Sequence, residues 1–223
     1  MRAAFLRLRI PDTIQRTYGA AGFRLIDDLT GDFPLGQIRC TLFAQDRPGR
    51  WRLVDREPVR TMSGVLVFPD LGRSAAVQGV PPLRYRAVIE AEYYRPFYAA
   101  QSDGIEFDVF PFNDDNPPAK IVTLPQNVVL VPAPTYPFSA YLRVLRGRVQ
   151  DNSARPVADA EVSLGNAERV LSDENGSFAL PLHLSPRSGS IKIDATDHRA
   201  ARQGDITVNL PDDLSKINPI TIT

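Results

Sequence analysis

Few residues in this sequence have the types and spacing that metal binding requires. His183 and His198 are the only histidines, and neither has Cys, His or acidic residues at metal-ligand spacing around it. Asp173, Glu174 and Asn175 resemble the start of a calcium-binding loop, but the ligand spacing that closes such a loop with Glu is absent. Asp and Asn in such a turn commonly bond the local backbone instead. We therefore predict no metal site and no cofactor.

The sequence also lacks the patterns that nucleophilic or acid–base catalysis requires. The string MSGVL around Ser63 does not have the G-x-S-x-G arrangement of a nucleophile elbow, and no glycine-rich phosphate loop occurs. Asp114 and Asp115 stand in a polar segment that is typical of a solvated loop. Four further acidic residues cannot be paired as acid and base from sequence alone: Asp12, Asp27, Asp28 and Asp32. We predict no catalytic residues and a protein that is not an enzyme.

Composition indicates which partners and which fold class to expect. Lys and Arg total 26 and Asp and Glu total 26, and this zero net charge argues against nucleic acid and anionic membranes as partners. Proline accounts for 20 of 223 residues, well above the usual share of about 5%. Period-two alternation recurs along the chain, whereas a sustained helical stripe does not. The sequence therefore predicts an all-β fold.

The first residues, MRAAFLRLRIP, do not form the continuous apolar core of a secretion signal, because Arg7 and Arg9 interrupt it. We predict a first strand at 5–10, no membrane span, and synthesis in the cytoplasm, which is compatible with later release as part of a particle. The single cysteine, Cys40, cannot form an internal disulfide. It lies in an alternating strand and is expected to be buried.

Alternation and turn residues divide the chain into two predicted β-sandwich modules in tandem, of the immunoglobulin-like or transthyretin-like kind. Residues 1–135 form a diverged module with long loops, and its predicted strands are 5–10, 22–27, 37–43, 51–54, 65–69, 83–93, 105–110 and 127–131. Residues 136–223 form a smaller module, with predicted strands at 142–150, 160–164, 167–171, 176–182, 189–195, 204–210 and 219–222. The proline-rich stretch VPAPTYPFSA at 131–140 favours an extended, semi-rigid connection between them.

The same order of features occurs in both halves, which indicates two related modules. Each half has a strand that ends in Asp (Asp27 and Asp151) and then a polar turn closed by Pro, followed by an alternating strand. A polar turn with Gly (Gly64 and Gly176) then leads into an apolar strand and a further alternating strand.

The second module resembles the carboxypeptidase regulatory-like domain, a transthyretin-like sandwich, over about residues 143–196. The residues that carry the resemblance are Gly147, Val149, Asp151, Pro156, Val157, Ala160, Val162, Leu164, Ser172, Asp173, Gly176, Phe178 and Leu180. The resemblance implies a β-sandwich fold without an active site of its own. The chain departs from the family at Asp197-His198, where a Gly-aromatic pair is usual.

The first module follows the corresponding order as a more diverged relative. The residues concerned are Asp27, Leu29, Thr30, Gly31, Pro34, Gly36, Ser63, Gly64 and Phe68. By this general layout the whole chain is similar to accessory proteins of phage-tail-like contractile injection particles. That resemblance implies a structural protein whose partners are other protein subunits of an assembly.

The stretch AEYYRPFYAAQ is the candidate protein interface, because Tyr and Arg combine a large contact area with a polar group. The candidate residues are Tyr93, Tyr94, Arg95, Phe97 and Tyr98. Alternation can bury only some of these rings, so the alternative is that half of them belong to the core of the first module and half lie at its rim. Tyr136 and Phe138 form a second aromatic group, which could instead fix one module against the other.

Two functions are therefore compatible with the sequence. The first is a non-enzymatic structural or adaptor subunit of a multi-protein particle, and a homo-oligomer is compatible with it. The second is a β-sandwich module that binds a carbohydrate or another surface ligand. Flat aromatic side chains on an exposed sheet face would favour the second, whereas edge strands available for pairing would favour the first.

Overall fold

The computed structural model describes residues 19–118, 125–165 and 168–223. The strand predicted at 5–10 and the acidic residue Asp12 lie outside the described residues. Strands account for 51% of the described residues and helical residues for 4%, so the all-β prediction is confirmed. Within the described ranges, no helix is long and apolar enough to cross a membrane.

The first β-unit is built on one sheet that curls on itself. Its strands in the described part are β1 (Gly19–Asp27), β2 (Ile38–Arg47), β3 (Arg50–Val54), β4 (Val59–Arg60), β5 (Val65–Pro69), β6 (Leu83–Ala91), β7 (Tyr94–Pro96), β8 (Ile105–Val109) and β9 (Gln126–Pro132). The strand order is β3-β2-β6-β7-β9-β1-β5-β4, and β8 pairs with β6 beside β7. A short 3-10 helix, Phe97–Ala100, follows β7. Because β3 and β4 are consecutive in the chain but stand at opposite edges, the sheet encloses its own core.

The second β-unit is a sandwich of two sheets. Its strands are β10 (Val144–Asp151), β11 (Glu161–Leu164), β12 (Glu168–Leu171), β13 (Ser177–Pro181), β14 (Gly189–Asp197), β15 (Arg202–Leu210) and β16 (Asn218–Ile222). One sheet has the order β13-β10-β16 and the other β12-β11-β14-β15. A second 3-10 helix, Asp212–Ser215, joins β15 to β16. Each of these seven strands overlaps a strand predicted from the sequence.

The strand pairings of the two units correspond. In the first unit, β1 pairs antiparallel with β5 and parallel with β9. In the second, β10 pairs in the same way with β13 and β16. Likewise β2 lies between β3 and β6, as β11 lies between β12 and β14. The pairing of β6 with β8 then corresponds to the pairing of β14 with β15.

The turns repeat as well, down to single hydrogen bonds. The Oδ1 atoms of Asp27 and Asp151 each accept a hydrogen bond of 2.8 Å from the amide two residues later. Gly64 and Gly176 have φ angles of +77° and +72°, and each donates its N–H to the carbonyl three residues earlier. A positive φ is readily adopted by Gly, which explains why Gly precedes the apolar strand in both halves.

Each unit has its own apolar core, and a third small cluster lies between them. The largest fully buried side chains of the first core are Phe23, Phe68, Leu42 and Leu130, and those of the second include Phe178, Leu145, Leu180 and Ile193. Ala100 and Val131 of the first unit pack with Leu171 of the second in the third cluster. The single cysteine, Cys40, is unpaired and buried in the first core, as predicted. Tyr136 also belongs to the first core, and the boundary at residues 135 and 136 stays a prediction.

Candidate functional site

The aromatic segment that the sequence singles out begins in the first core. Tyr94, on β7, is 3% exposed, and its hydroxyl donates to Oδ2 of Asp27 at 3.0 Å. The same hydroxyl accepts the N–H of Leu35 at 3.0 Å, while Tyr136 donates to Oδ2 of Asp27 at 3.3 Å. Asp27 is itself only 1% exposed, so these donors satisfy a carboxyl group that has almost no contact with solvent. Burial raises the pKa of Tyr94 and of Tyr136.

The neighbouring rings divide between the same core and the junction of the two units. Tyr98 accepts the N–H of Ile89 at 2.7 Å, and burial raises the pKa of its hydroxyl to about 12. Tyr93 is half-buried against the first core, and a hydrogen bond with Glu92 raises its pKa. Phe97 packs on the third cluster, with the guanidinium of Arg169 4.0 Å from its ring centroid. Arg169 belongs to the second unit, so Phe97 contributes to the contact between units.

Arg95 is the most extensively bound member of the segment. Its Nε and Nη2 atoms donate to Oδ1 of Asp159, at 3.0 Å for Nε, and its Nη1 donates to Oε1 of Glu174 at 2.6 Å. Asp159 and Glu174 both lie in the second unit. The hydrogen bond from Arg95 lowers the pKa of Glu174. The side chains of Arg95 and Asp159 are mostly shielded from solvent, which strengthens their attraction compared with a fully exposed pair.

Two further arginines of the second unit complete the junction. Arg199 donates to the carbonyl oxygens of Ala99 and Ser102, at 2.8 and 3.1 Å from Nη2, and its Nη1 lies 3.0 Å from Asp103. Arg169 reaches Asp28 with a separation of 3.3 Å between Nε and Oδ2. The predicted interface segment thus makes an interface within the chain. That it also docks onto another subunit stays a prediction.

The residues considered for metal binding or catalysis lie apart and bind locally. His198 contacts Glu161 at 2.6 Å between Nε2 and Oε2, whereas His183 is exposed and lies near Asp28 and Leu29 of the first unit. Asp173 accepts the N–H groups of Asn175 and Ser177 at 2.8 Å, as expected of a turn residue. In the part of the chain that is described, no three His, Cys, Asp or Glu residues are grouped to hold a metal ion.

The acidic residues and the serine are similarly spread out. Asp27 lies in the core of the first unit and Asp28 in the junction, while Asp32 is an exposed turn residue. Asp114 pairs with Arg73 at 3.0 Å. The hydroxyl of Ser63 forms a hydrogen bond with that of Thr61 in the exposed turn before β5. Both histidines lie more than 100 residues further along the chain. The described geometry does not pair any of these groups as nucleophile and base.

The structure adds an aromatic sheet face that the sequence analysis did not single out. On β2 and β3, Phe43 faces Leu53 in the ladder and Trp51 lies two residues from Leu53, so all three share the side of the sheet opposite the core. Leu53 is 61% exposed, and the guanidinium of Arg86 stacks 4.2 Å from the Trp51 ring. Neighbouring residues of a strand point to opposite faces of the sheet, so Phe43 must face away from the core that buries Leu42. This alternation is the sequence signal that could have identified the face.

Comparisons with known proteins find similarities only among solved structures. No protein-family model and no curated protein matches the sequence. Among solved structures, the chain is similar to the Bacillus anthracis TIE protein, with 10% identity and a TM-score of 0.29 over 92% of this chain and 33% of that one. It is also similar to a streptococcal ancillary pilin, with 10% identity and a TM-score of 0.27 over 93% of this chain and 68% of the pilin.

A third solved structure is the pilus adhesin SpaC from Lactobacillus rhamnosus GG, with 17% identity and a TM-score of 0.22 over 91% of this chain and 31% of SpaC. The chain thus spans about a third of the length of the TIE protein and of SpaC. TM-scores and identities this low carry no argument about the function of this chain.

Proposed function

We propose that this chain is a non-enzymatic structural or adaptor subunit of a multi-protein assembly. One observation carries the proposal: charged side chains, Arg95 of the predicted interface segment among them, join the two β-units. Arg95, Asp159 and Glu174 form an ionic contact across the junction, and Arg199 adds hydrogen bonds to backbone carbonyls of the first unit. Two cores joined by short-range polar contacts and an apolar cluster give a rigid body that can bridge neighbouring subunits.

The finer form of the proposal places the chain in a phage-tail-like contractile injection particle, with a second module of the carboxypeptidase regulatory-like kind. Support for the module comes from its seven-stranded sandwich, in which Ala160 is fully buried and Phe178 lies in the core. At the departure from the family, Asp197 caps its turn by accepting the N–H groups of Arg199 and Ala200. Support for the particle is the tandem layout of two related units.

A sedimentation experiment tests the assembly. Extracts of cells that make the chain are separated on a density gradient, and the chain is followed with an antibody. We expect it to travel with a particle far larger than the monomer. The double variant Arg95→Ala and Arg199→Ala should keep its β-sheet circular dichroism but lose most of the particle-bound fraction, because the polar contacts of these two arginines no longer fix one unit against the other.

The matched control removes two arginines from elsewhere on the surface. Arg148 and Arg187 are exposed and form no ion pair with the described residues, so their double Ala variant should sediment like the wild type. A wild-type chain that stays monomeric in every fraction would refute the assembly role.

Carbohydrate binding is the second candidate, and the exposed face of β2 and β3 favours it. Trp51 and Phe43 lie there close to the polar side chains of Arg86 and Glu106, which is the arrangement that stacks sugar rings and bonds their hydroxyls. Because Trp51 is the single tryptophan, a glycan that binds this face should change its fluorescence. Trp51→Ala should abolish binding on a glycan array, and an unchanged array profile would exclude this face.

A further inference from the structure

A pocket of about 430 Å³ opens between the two β-units, on the side of the junction where Arg169 meets Asp28. It shares no lining residue with the contacts of Arg95 and Arg199 or with the aromatic face of β2 and β3. Its volume is near the lower end for small-molecule sites, so it can hold one ligand of about the size of an amino acid. The lining residues are Asp28, Leu29 and Pro132 of the first unit and Glu168, Arg169, Pro181, His183 and Leu184 of the second.

One carboxyl group that lines this pocket is buried without a full set of partners. Glu168, the first residue of β12, is only 6% exposed. Its Oε1 atom accepts the N–H of Leu184 at 2.7 Å, whereas its Oε2 atom is shielded from solvent and has no hydrogen-bond donor among the described residues. A carboxylate can accept several hydrogen bonds, and burying it without them is costly. Glu168 therefore lacks a donor at Oε2.

The other charged groups of the pocket are engaged with each other. The Nε atom of Arg169 lies 3.3 Å from Oδ2 of Asp28, and its guanidinium stacks 4.0 Å from the Phe97 ring centroid. Asp28 and Arg169 therefore balance one another. With His183 counted as neutral, the lining carries one net negative charge, which belongs to Glu168.

The single free oxygen favours an ammonium group over other cations. A guanidinium group binds a carboxylate best through two parallel hydrogen bonds, but Oε1 of Glu168 is already bonded to Leu184. An ammonium group is a point charge that needs only one oxygen. A metal ion is less suited, because no three His, Cys, Asp or Glu side chains of the described chain are grouped to hold one. A singly charged ammonium group thus matches both the charge and the acceptor.

Apolar side chains line the rest of the pocket and specify what adjoins the ammonium group. Pro132 and Pro181 are buried, and Leu29 is half-buried against the first core. Leu184 is 78% exposed, so part of its side chain is available at the rim. The aliphatic stem of an alkyl amine can cover such surfaces while its charged end binds a carboxylate. Because both units contribute apolar residues, a bound stem would contact both.

We propose that this pocket binds an alkylammonium group, with the nitrogen at Oε2 of Glu168 and the aliphatic stem against the apolar lining. The nitrogen reaches Oε2 after a small rotation of the carboxyl group, which keeps its hydrogen bond to the N–H of Leu184. A lysine side chain of another protein and a free diamine both carry such a group. The site goes beyond the proposed function, because it can be filled whether or not the chain assembles.

Lysine blocked as its acetyl and methylamide derivative is the probe. It is titrated into the isotope-labelled full chain, and the amide signals are followed by nuclear magnetic resonance. The signal of Leu184 should move, because its N–H donates to the carboxyl group that binds the ligand. We expect blocked lysine to bind at least about tenfold more tightly than blocked norleucine, which has the same stem without the ammonium group. Blocked arginine should bind less tightly than blocked lysine.

A variant at Glu168 tests where the ammonium group binds. Glu168→Gln removes the charge but keeps an oxygen that accepts the N–H of Leu184, so it should fold like the wild type and lose the tenfold preference. The matched control, Glu57→Gln, makes the same change at an exposed residue outside the pocket and should keep the preference. If Glu168→Gln does not fold, the comparison of the three ligands on the wild type still decides.

Cadaverine, a free diamine, distinguishes the two sources of the group. Tighter binding of cadaverine than of blocked lysine would assign the pocket to free diamines, and the reverse order would assign it to a lysine of another protein. Either order supports an ammonium site.

Three results overturn the proposal: equal binding of blocked lysine and blocked norleucine, a Leu184 signal that does not move, and a preference that Glu168→Gln keeps. Binding of blocked arginine as tightly as blocked lysine also overturns it, because a single free oxygen would then not set the choice. If the chain sediments with a particle but none of the ligands binds, the assembly role stands without this site. If blocked lysine binds but the chain is always monomeric in cells, the site stands and the assembly role fails.

Discussion

Removing the hydroxyl of Tyr94 is a direct test of whether the aromatic segment holds the first unit together. In Tyr94→Phe the ring still fills its place in the core, but Oδ2 of Asp27 loses its shorter tyrosine donor and the N–H of Leu35 loses its acceptor. A buried polar group left without its partner costs about 1–3 kcal/mol, and a bond to a carboxylate lies toward the upper end. We expect Tyr94→Phe to lower the free energy of unfolding by about 2 kcal/mol.

Tyr136 provides the second leg of a double-mutant cycle. Its bond to Asp27 is longer, at 3.3 Å, so Tyr136→Phe should cost about 1 kcal/mol. With both hydroxyls removed, Oδ2 of Asp27 keeps no described donor although the residue is 1% exposed. The double variant should therefore lose about 1 kcal/mol more than the sum of the single variants.

Urea unfolding followed by Trp51 fluorescence measures these energies, because Trp51 is the single tryptophan and lies on β3 of the same unit. Tyr141→Phe is the matched control: Tyr141 is 98% exposed, so the loss should stay within about 0.5 kcal/mol. If Tyr94→Phe unfolds at the same urea concentration as Tyr141→Phe, the buried network does not stabilise the unit.

Three further outcomes follow from single residues. Gly176→Ala should destabilise the second unit by at least about 2 kcal/mol more than the control Gly165→Ala. Both glycines have a positive φ, but only at Gly176 would an added Cβ lie 2.3 Å from a backbone oxygen. Equal melting temperatures of the two variants would contradict this prediction. Burial opposes ionisation of Asp197, but hydrogen bonds from Arg202 and backbone amides outweigh it and lower its pKa. The stabilisation that the ionised Asp197 gives to the fold is therefore complete above its ordinary pKa of 3.8 and is lost as the pH falls below that value. In a plot of the free energy of unfolding against pH, Asp197→Asn should reduce the slope on the acidic side. Burial raises the pKa of Cys40 to about 12, so iodoacetamide at pH 8 should label the folded chain far more slowly than the urea-unfolded chain, and equal rates would refute that burial.

The second unit shows how far alternation alone reaches. Its seven strands were all predicted, because each alternates or is apolar over several residues and is bounded by Pro, Gly or Asp turns. In the first unit β4 and β7 were not predicted. They have two and three residues, too few for a period to show, and they pair only because neighbouring strands bring a partner edge to them.

The candidate site was predicted as residues but not as an arrangement. The sequence identified Tyr94, Arg95 and Phe97 as interface candidates, since Tyr and Arg combine a large contact area with a polar group. Its partners Asp159 and Glu174 lie 64 and 79 residues away along the chain, and no local pattern links them to Arg95.

The sequence by itself determined the all-β class, the repeated order of strands and turns, and the burial of Cys40. These depend on neighbours within a few residues, through side-chain alternation and the backbone angles that Pro, Gly and Asp favour. Only the tertiary structure decided that the first sheet curls and that Tyr94 faces Asp27. Those features depend on which distant strands meet, and that is set by the packing of the whole core rather than by any one segment.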